Sequence, residues 1–209
     1  MAYYPLRTMD FDLALRIPYR GEKADVDALL RNLGFTARVD AAYNKIDYVL
    51  PGVGMVEVFI DRGQATEAAL TTVRENLAIV PAKVANLKIL LDNPVTAKVH
   101  GVHKAVTLPS MPAFFVHRLI TSRFGEYRDR VFYLEKIRKD LKQAALVAAR
   151  IAEDKQLTGE LQRIARNLPD DLKEKMRKSA EAAADHVQPP DLTESDAAGI
   201  LAMTQSALA

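Results

Sequence analysis

Met9-Asp10-Phe11-Asp12-Leu13-Ala14-Leu15-Arg16-Ile17 is the stretch that decides how this chain is read. Met9, Phe11, Leu13, Leu15 and Ile17 alternate with the remaining residues, which predicts a strand with one buried face. Side chains two apart on a strand point the same way, so Asp10 and Asp12 stand side by side on the opposite face. Two like charges that close repel unless something positive lies between them. A divalent metal ion is the usual candidate, and its usual work is on phosphate-bearing substrates. A charged pair of this kind also occurs on ordinary wet strand faces, so the rest of the chain has to decide between the two readings.

Composition narrows the field. The chain has 209 residues, 49% of them hydrophobic, enough for a substantial core. Its 29 basic and 27 acidic residues leave a net charge of +2, too balanced to argue for general nucleic-acid binding. It has no cysteine, which excludes disulfides, thiolate metal sites and thiol catalysis. No apolar run approaches the roughly 18 residues that a membrane span needs, and Met1 to Arg7 does not resemble a signal peptide. A soluble, cytoplasmic protein is expected.

Outward from the Asp10 strand, Pro18 to Gly21 makes a turn and Asp25 to Leu33 fits a short helix stopped by Gly34. Thr36 to Val39, Lys45 to Leu50 and Met55 to Ile60 read as strands, with a turn at Pro51-Gly52-Val53-Gly54. Ala85 to Leu91 and Ala105 to Leu108 are weaker strand candidates, separated by a turn at Asn93-Pro94. Beyond Pro109 the pattern becomes helical: Met111 to Phe124, Arg128 to Asp154, Gln156 to Asn167 and Asp170 to Asp185. In the longest of these, Val131, Leu134, Ile137, Leu141, Ala144, Ala148 and Ile151 form one stripe. Gln188-Pro189-Pro190 breaks the chain, and Thr193 to Asp196 resembles a capping box before an alanine-rich terminal helix. The expected fold class is α+β, a mixed sheet followed by helices. The expected divisions are 1–108, 109–187 and 188–209.

Glu57 is the natural third carboxylate. It lies between Val56 and Val58 and so faces away from the core side of its strand. If that strand lies beside the Asp10 strand, Asp10, Asp12 and Glu57 converge into a set of oxygen donors suited to Mg²⁺ or Mn²⁺.

Several segments together resemble a known family. Arg7-Thr8-Met9-Asp10-Phe11-Asp12-Leu13 is similar to the R-x-T-x-D-I-D-L segment of minimal nucleotidyltransferases of the polymerase-beta superfamily. Val106 to Ile120, with Pro109, Pro112, Phe114, His117 and Arg118, resembles their V-x-V-P-x-P-x-x-F-A-x-H-K-L-I, and Lys139-Asp140-Leu141-Lys142-Gln143-Ala144 their K-D-L-x-Q-A. Gly34-Phe35 and Val56-Glu57-Val58 fall where such proteins carry them. The similarity covers roughly residues 7 to 150. It points to a bacterial family distantly related to the nucleotidyltransferase toxins of abortive-infection systems.

The resemblance implies a Mg²⁺-dependent transfer of a nucleoside monophosphate from a nucleoside triphosphate to a hydroxyl acceptor: an RNA end, a protein or a small molecule. Asp10, Asp12 and Glu57 would be the catalytic metal ligands. Arg118, Lys139 and Asp140 would serve the nucleotide, Arg118 standing where the family usually has lysine, with the charge kept and the geometry changed. One feature departs from the family. Its members carry a Gly-Ser turn before the D-x-D strand, and Met1 to Met9 contains neither residue. The expectation is that a missing N-terminal segment or a partner chain completes the site. The alternative is a catalytically inactive nucleotidyltransferase fold that acts as a protein- or RNA-binding module.

Other candidates read as structural. His100 and His103 have no evident third zinc ligand. His117 suits a hydrogen-bonding role on a helix, and Ser110 and Ser122 belong to no evident triad. Arg118 to Lys142 holds eight basic against four acidic residues, mostly a solvated helical face.

Overall fold

A computed structural model of the chain describes residues 10–41, 45–98, 105–121, 131–189 and 191–209, with side chains described except at 10, 131–133 and 136. The chain separates into two compact units, Met1–Leu87 and Lys88–Ala209.

The first unit is built around a mixed sheet. Its strands are β1 (Asp10–Leu15), β2 (Thr36–Asp40), β3 (Lys45–Leu50), β4 (Gly54–Asp61) and β5 (Ala82–Val84). The order is β1-β4-β3-β2, with β5 also on β4. β4 is the central strand: β1 runs parallel along one edge, while antiparallel β3 and parallel β5 share the other. β3 turns into β4 at Pro51 to Gly54, where Gly52 takes φ +75, a left-handed conformation that costs glycine least. Alternation along β4 buries Val56, Val58 and Ile60. Val56 and Val58 pack with Tyr48 of β3, Leu30 of helix α1 (Val26–Asn32), and Val73 and Leu77 of helix α2 (Glu67–Leu77).

Three expectations change in this unit and at its boundary. No element is expected between Ile60 and Ala85, yet α2 and β5 lie there. The signals for α2 are the Thr66 N-cap and the spacing of Leu70, Val73 and Leu77, which puts one buried stripe on the helix. Secondly, Ala85 to Leu91 is not a strand. Its second half opens helix α3 (Lys88–Asp92), braced by a Lys88–Asp92 ion pair, while Ile89 and Leu90 pack on the helical core. A short apolar run does not distinguish helix from strand by period alone. Thirdly, the apolar face of β1 is buried unevenly. Leu15 and Ile17 pack on the core, but Phe11 is 56% and Leu13 48% exposed. Among the described residues β1 pairs on one side only, with β4.

The second unit is mostly helical. Strands β6 (Pro94–Lys98) and β7 (Ala105–Pro109) form an antiparallel pair, so Pro94 opens a strand instead of lying in a turn. Helices α4 (Met111–Thr121), α5 (Val131–Ala152), α6 (Lys155–Arg166), α7 (Asp170–Glu181) and α8 (Glu194–Leu208) follow. Of the predicted α5 stripe, Ile137, Leu141, Ala144, Ala148 and Ile151 are buried, against Phe115 and Leu119 of α4, Leu161 of α6, Met176 of α7 and Ile200 of α8. Thr193 and Asp196 form the expected capping box on α8. The α+β class, a mixed sheet followed by helices, is the observed one. Among the described residues no helix is long and apolar enough to cross a membrane.

Candidate functional site

The parallel pairing of β1 with β4 sets Asp12 opposite Glu57 and Asp10 opposite Met55. In a parallel pair, register partners present their side chains to the same face of the sheet. Asp12 and Glu57 therefore share a face, opposite the one that Val56 and Val58 bury. Glu57 is half-buried and Asp12, on the outer strand, is exposed. Asp10 is placed by its backbone register alone.

β3 brings two further charged residues to this face, and sequence reasoning missed both. Asp47 is 1% exposed, and Lys45 lies two residues before it. The Lys45 ammonium meets Asp47 Oδ1 at 2.9 Å and also donates to Glu57 Oε1. Arg38 of β2, the register partner of Asp47, reaches Asp47 Oδ2 at 3.3 Å. Burial works against the charged lysine, but its bonds to Glu57 and Asp47 outweigh that and raise its pKa above the ordinary lysine value. Lys45-Ile46-Asp47 has the same period-two charge pattern as Asp10-Phe11-Asp12. That pattern was the available signal; what it could not show was which strand lies next to which.

In the second unit the structure brings Arg118 and Asp140 together. Arg118 Nη1 donates to Asp140 Oδ1 at 3.0 Å, and the guanidinium lies 4.7 Å from the centre of the Phe114 ring, one helical turn back. Both partners are half-buried, and Arg118 Nε is buried without a hydrogen-bond partner. Lys139 is exposed on α5. His117 is buried on α4. Ser110 donates to Glu160 at 2.6 Å and accepts from the Ala113 amide, which makes it a helix cap. His100, His103, Ser122, Arg123, Arg128 and Arg130 lie outside the described residues. Among the described residues no three histidine, aspartate or glutamate side chains gather as a metal cluster would require.

A family model described as nucleotidyltransferase matches residues 3–167. The chain belongs to this nucleotidyltransferase family. The match spans the whole described sheet of the first unit and runs through α6 of the second. Nothing among curated proteins or solved structures matches the chain. Membership assigns nucleotidyl transfer as the general chemistry.

Proposed function

We propose that this nucleotidyltransferase uses Mg²⁺, held by Asp10, Asp12 and Glu57, to transfer a nucleoside monophosphate from a nucleoside triphosphate to a hydroxyl acceptor. The observation that carries the reading is the register of β1 on β4, which pairs Asp12 with Glu57 on one face and sets Asp10 two residues away. The donors are all carboxylate oxygens, the ligand type that Mg²⁺ prefers. When bound, the metal supplies positive charge to the phosphate oxygens and to the leaving pyrophosphate. Glu57 takes the proton of the acceptor hydroxyl as its oxygen attacks the α-phosphorus. In the second unit, the roles that the resemblance gives Arg118, Lys139 and Asp140 toward the nucleotide belong to the same proposal. Arg118 brings a charge already balanced in part by Asp140.

The test uses the full chain with each labelled nucleoside triphosphate, Mg²⁺ and RNA, protein or small-molecule acceptors. Asp12→Asn and Glu57→Gln are expected to lower labelling by about a hundredfold or more while thermal unfolding stays cooperative. Equal labelling by wild type and Asp12→Asn would remove the proposal.

The second reading is an inactive nucleotidyltransferase fold that binds a protein or RNA. It is favoured by one observation, the engagement of Glu57 by Lys45. It predicts no Mg²⁺-dependent rise in melting temperature with any of the four nucleotides.

A further inference from the structure

Lys45 has no part in the transfer proposed above, yet it touches the carboxylate on which the proposed metal depends. Its side chain is 15% exposed and that of Glu57 16%, so neither is a freely waving surface group. The lysine is held from the other side by Asp47, whose own side chain is 2% exposed and is joined by Arg38 from β2. Lys45 takes one oxygen of Asp47 and Arg38 the other, so the anchor for Lys45 is built into β3 and β2. The β3–β4 register pairs Tyr48 with Val56. One residue further, it sets Asp47 in line with Glu57 and, across β4, with Asp12.

We infer that Lys45 is an internal counter-ion for the carboxylate face, which shares Glu57 with an incoming divalent cation and sets how tightly that cation binds. The inference rests on the metal reading given under Proposed function and names a residue which that reading leaves out. The physical reason is competition for one anion. When no divalent ion is bound, the lysine ammonium neutralises Glu57 and lowers its repulsion toward other carboxylates on this face. A divalent ion that binds Glu57 has to displace this bond or accept a positive neighbour, and either weakens its binding. Asp47 determines which happens. It holds the ammonium on β3 after Glu57 is taken, so the lysine stays close by as a repelling charge instead of swinging into water. Lys45 is thus a positioning residue, acting on the metal through Glu57.

Removing the lysine alone leaves the buried Asp47 with Arg38 as its cation among the described residues, so the test includes a pair in which Asp47 is neutral. Mn²⁺ binding to the full chain is measured by the loss of the free-ion electron paramagnetic resonance signal. The proteins are wild type, Lys45→Met, Asp47→Asn, the Lys45→Met/Asp47→Asn double variant and Asp12→Asn, each with a parallel thermal melt. The expected result is roughly tenfold tighter Mn²⁺ binding for Lys45→Met than for wild type, and a smaller gain in the same direction for the double variant over Asp47→Asn, in which the lysine is no longer held close to Glu57. Asp12→Asn loses the binding. Asp12-dependent binding of equal or lower affinity in the lysine variants overturns the inference and leaves the metal reading intact. No Asp12-dependent binding in any protein overturns the metal reading itself. If Lys45→Met fails to melt cooperatively, the double variant against Asp47→Asn decides.

Discussion

Tyr48→Phe tests how the first unit is held together. Tyr48 is fully buried, and its hydroxyl donates to Asp27 Oδ1 of α1 at 2.8 Å. The bond ties the helix under the sheet to β3, whose opposite face carries Lys45 and Asp47. A hydrogen bond to a charged group contributes about 1.5–3 kcal/mol. The lower end applies because Asp27 keeps its bond to Arg31 and is 28% exposed, so water reaches it after the change. Y48F should therefore cost about 1.5 kcal/mol at neutral pH.

The pH dependence makes the test sharper. Burial, followed by the bond to Asp27, raises the Tyr48 pKa far above that of an ordinary tyrosine. A raised pKa means that the unfolded chain loses this proton first. The stabilisation is complete below the unfolded value of about 10 and falls as pH rises past it, by about 1.4 kcal/mol at pH 11. Y48F has no such proton. The two proteins should differ by about 1.5 kcal/mol at pH 7 and by nearly nothing at pH 11. Urea denaturation followed by circular dichroism at pH 7, 9, 10 and 11 measures the gap. A gap that stays constant with pH would show that Tyr48 ionises normally in the folded chain, and the assignment of its bond to Asp27 would fall.

In the helical unit, Leu141→Ala removes a side chain 1% exposed at the centre of α5 and should cost about 2–5 kcal/mol in urea denaturation. An equal loss from the exposed Leu146→Ala would contradict the assigned face of α5. Thr193→Ala removes one half of the α8 capping box and should cost about 1 kcal/mol in thermal or urea melts. Burial raises the Asp196 pKa, but Lys142 and Thr193 outweigh it and the carboxyl titrates below its usual value. The stability it contributes is present above the unfolded value near 4 and lost as pH falls through the folded one. Asp196→Asn should accordingly flatten the acid limb of the stability curve, and an unchanged limb would refute the role.

Much of the fold was written in short-range pattern. The strand at Asp10, the apolar stripe of α5 and the Thr193 cap are each set by neighbours within a turn or two and appear where their spacing puts them, although the apolar face of that strand is buried only toward Leu15. Other segments are less legible: α2 announces itself only through the Thr66 cap and three apolar positions, Leu70, Val73 and Leu77, and Lys88–Asp92 is too short to show a period.

The sequence by itself determined that Asp10 and Asp12 stand two apart on one strand and that Glu57 lies on the outer side of another, because strand geometry alternates side chains whatever the surroundings. Only the tertiary structure decided that those strands are parallel neighbours in a register that pairs Asp12 with Glu57. The same arrangement decided that Lys45 bridges Glu57 and Asp47, and that Arg118 faces Asp140. Strand order and register depend on chain segments distant in sequence packing over one core, and nothing in the local spacing of a charged residue records which partner that packing will bring to it.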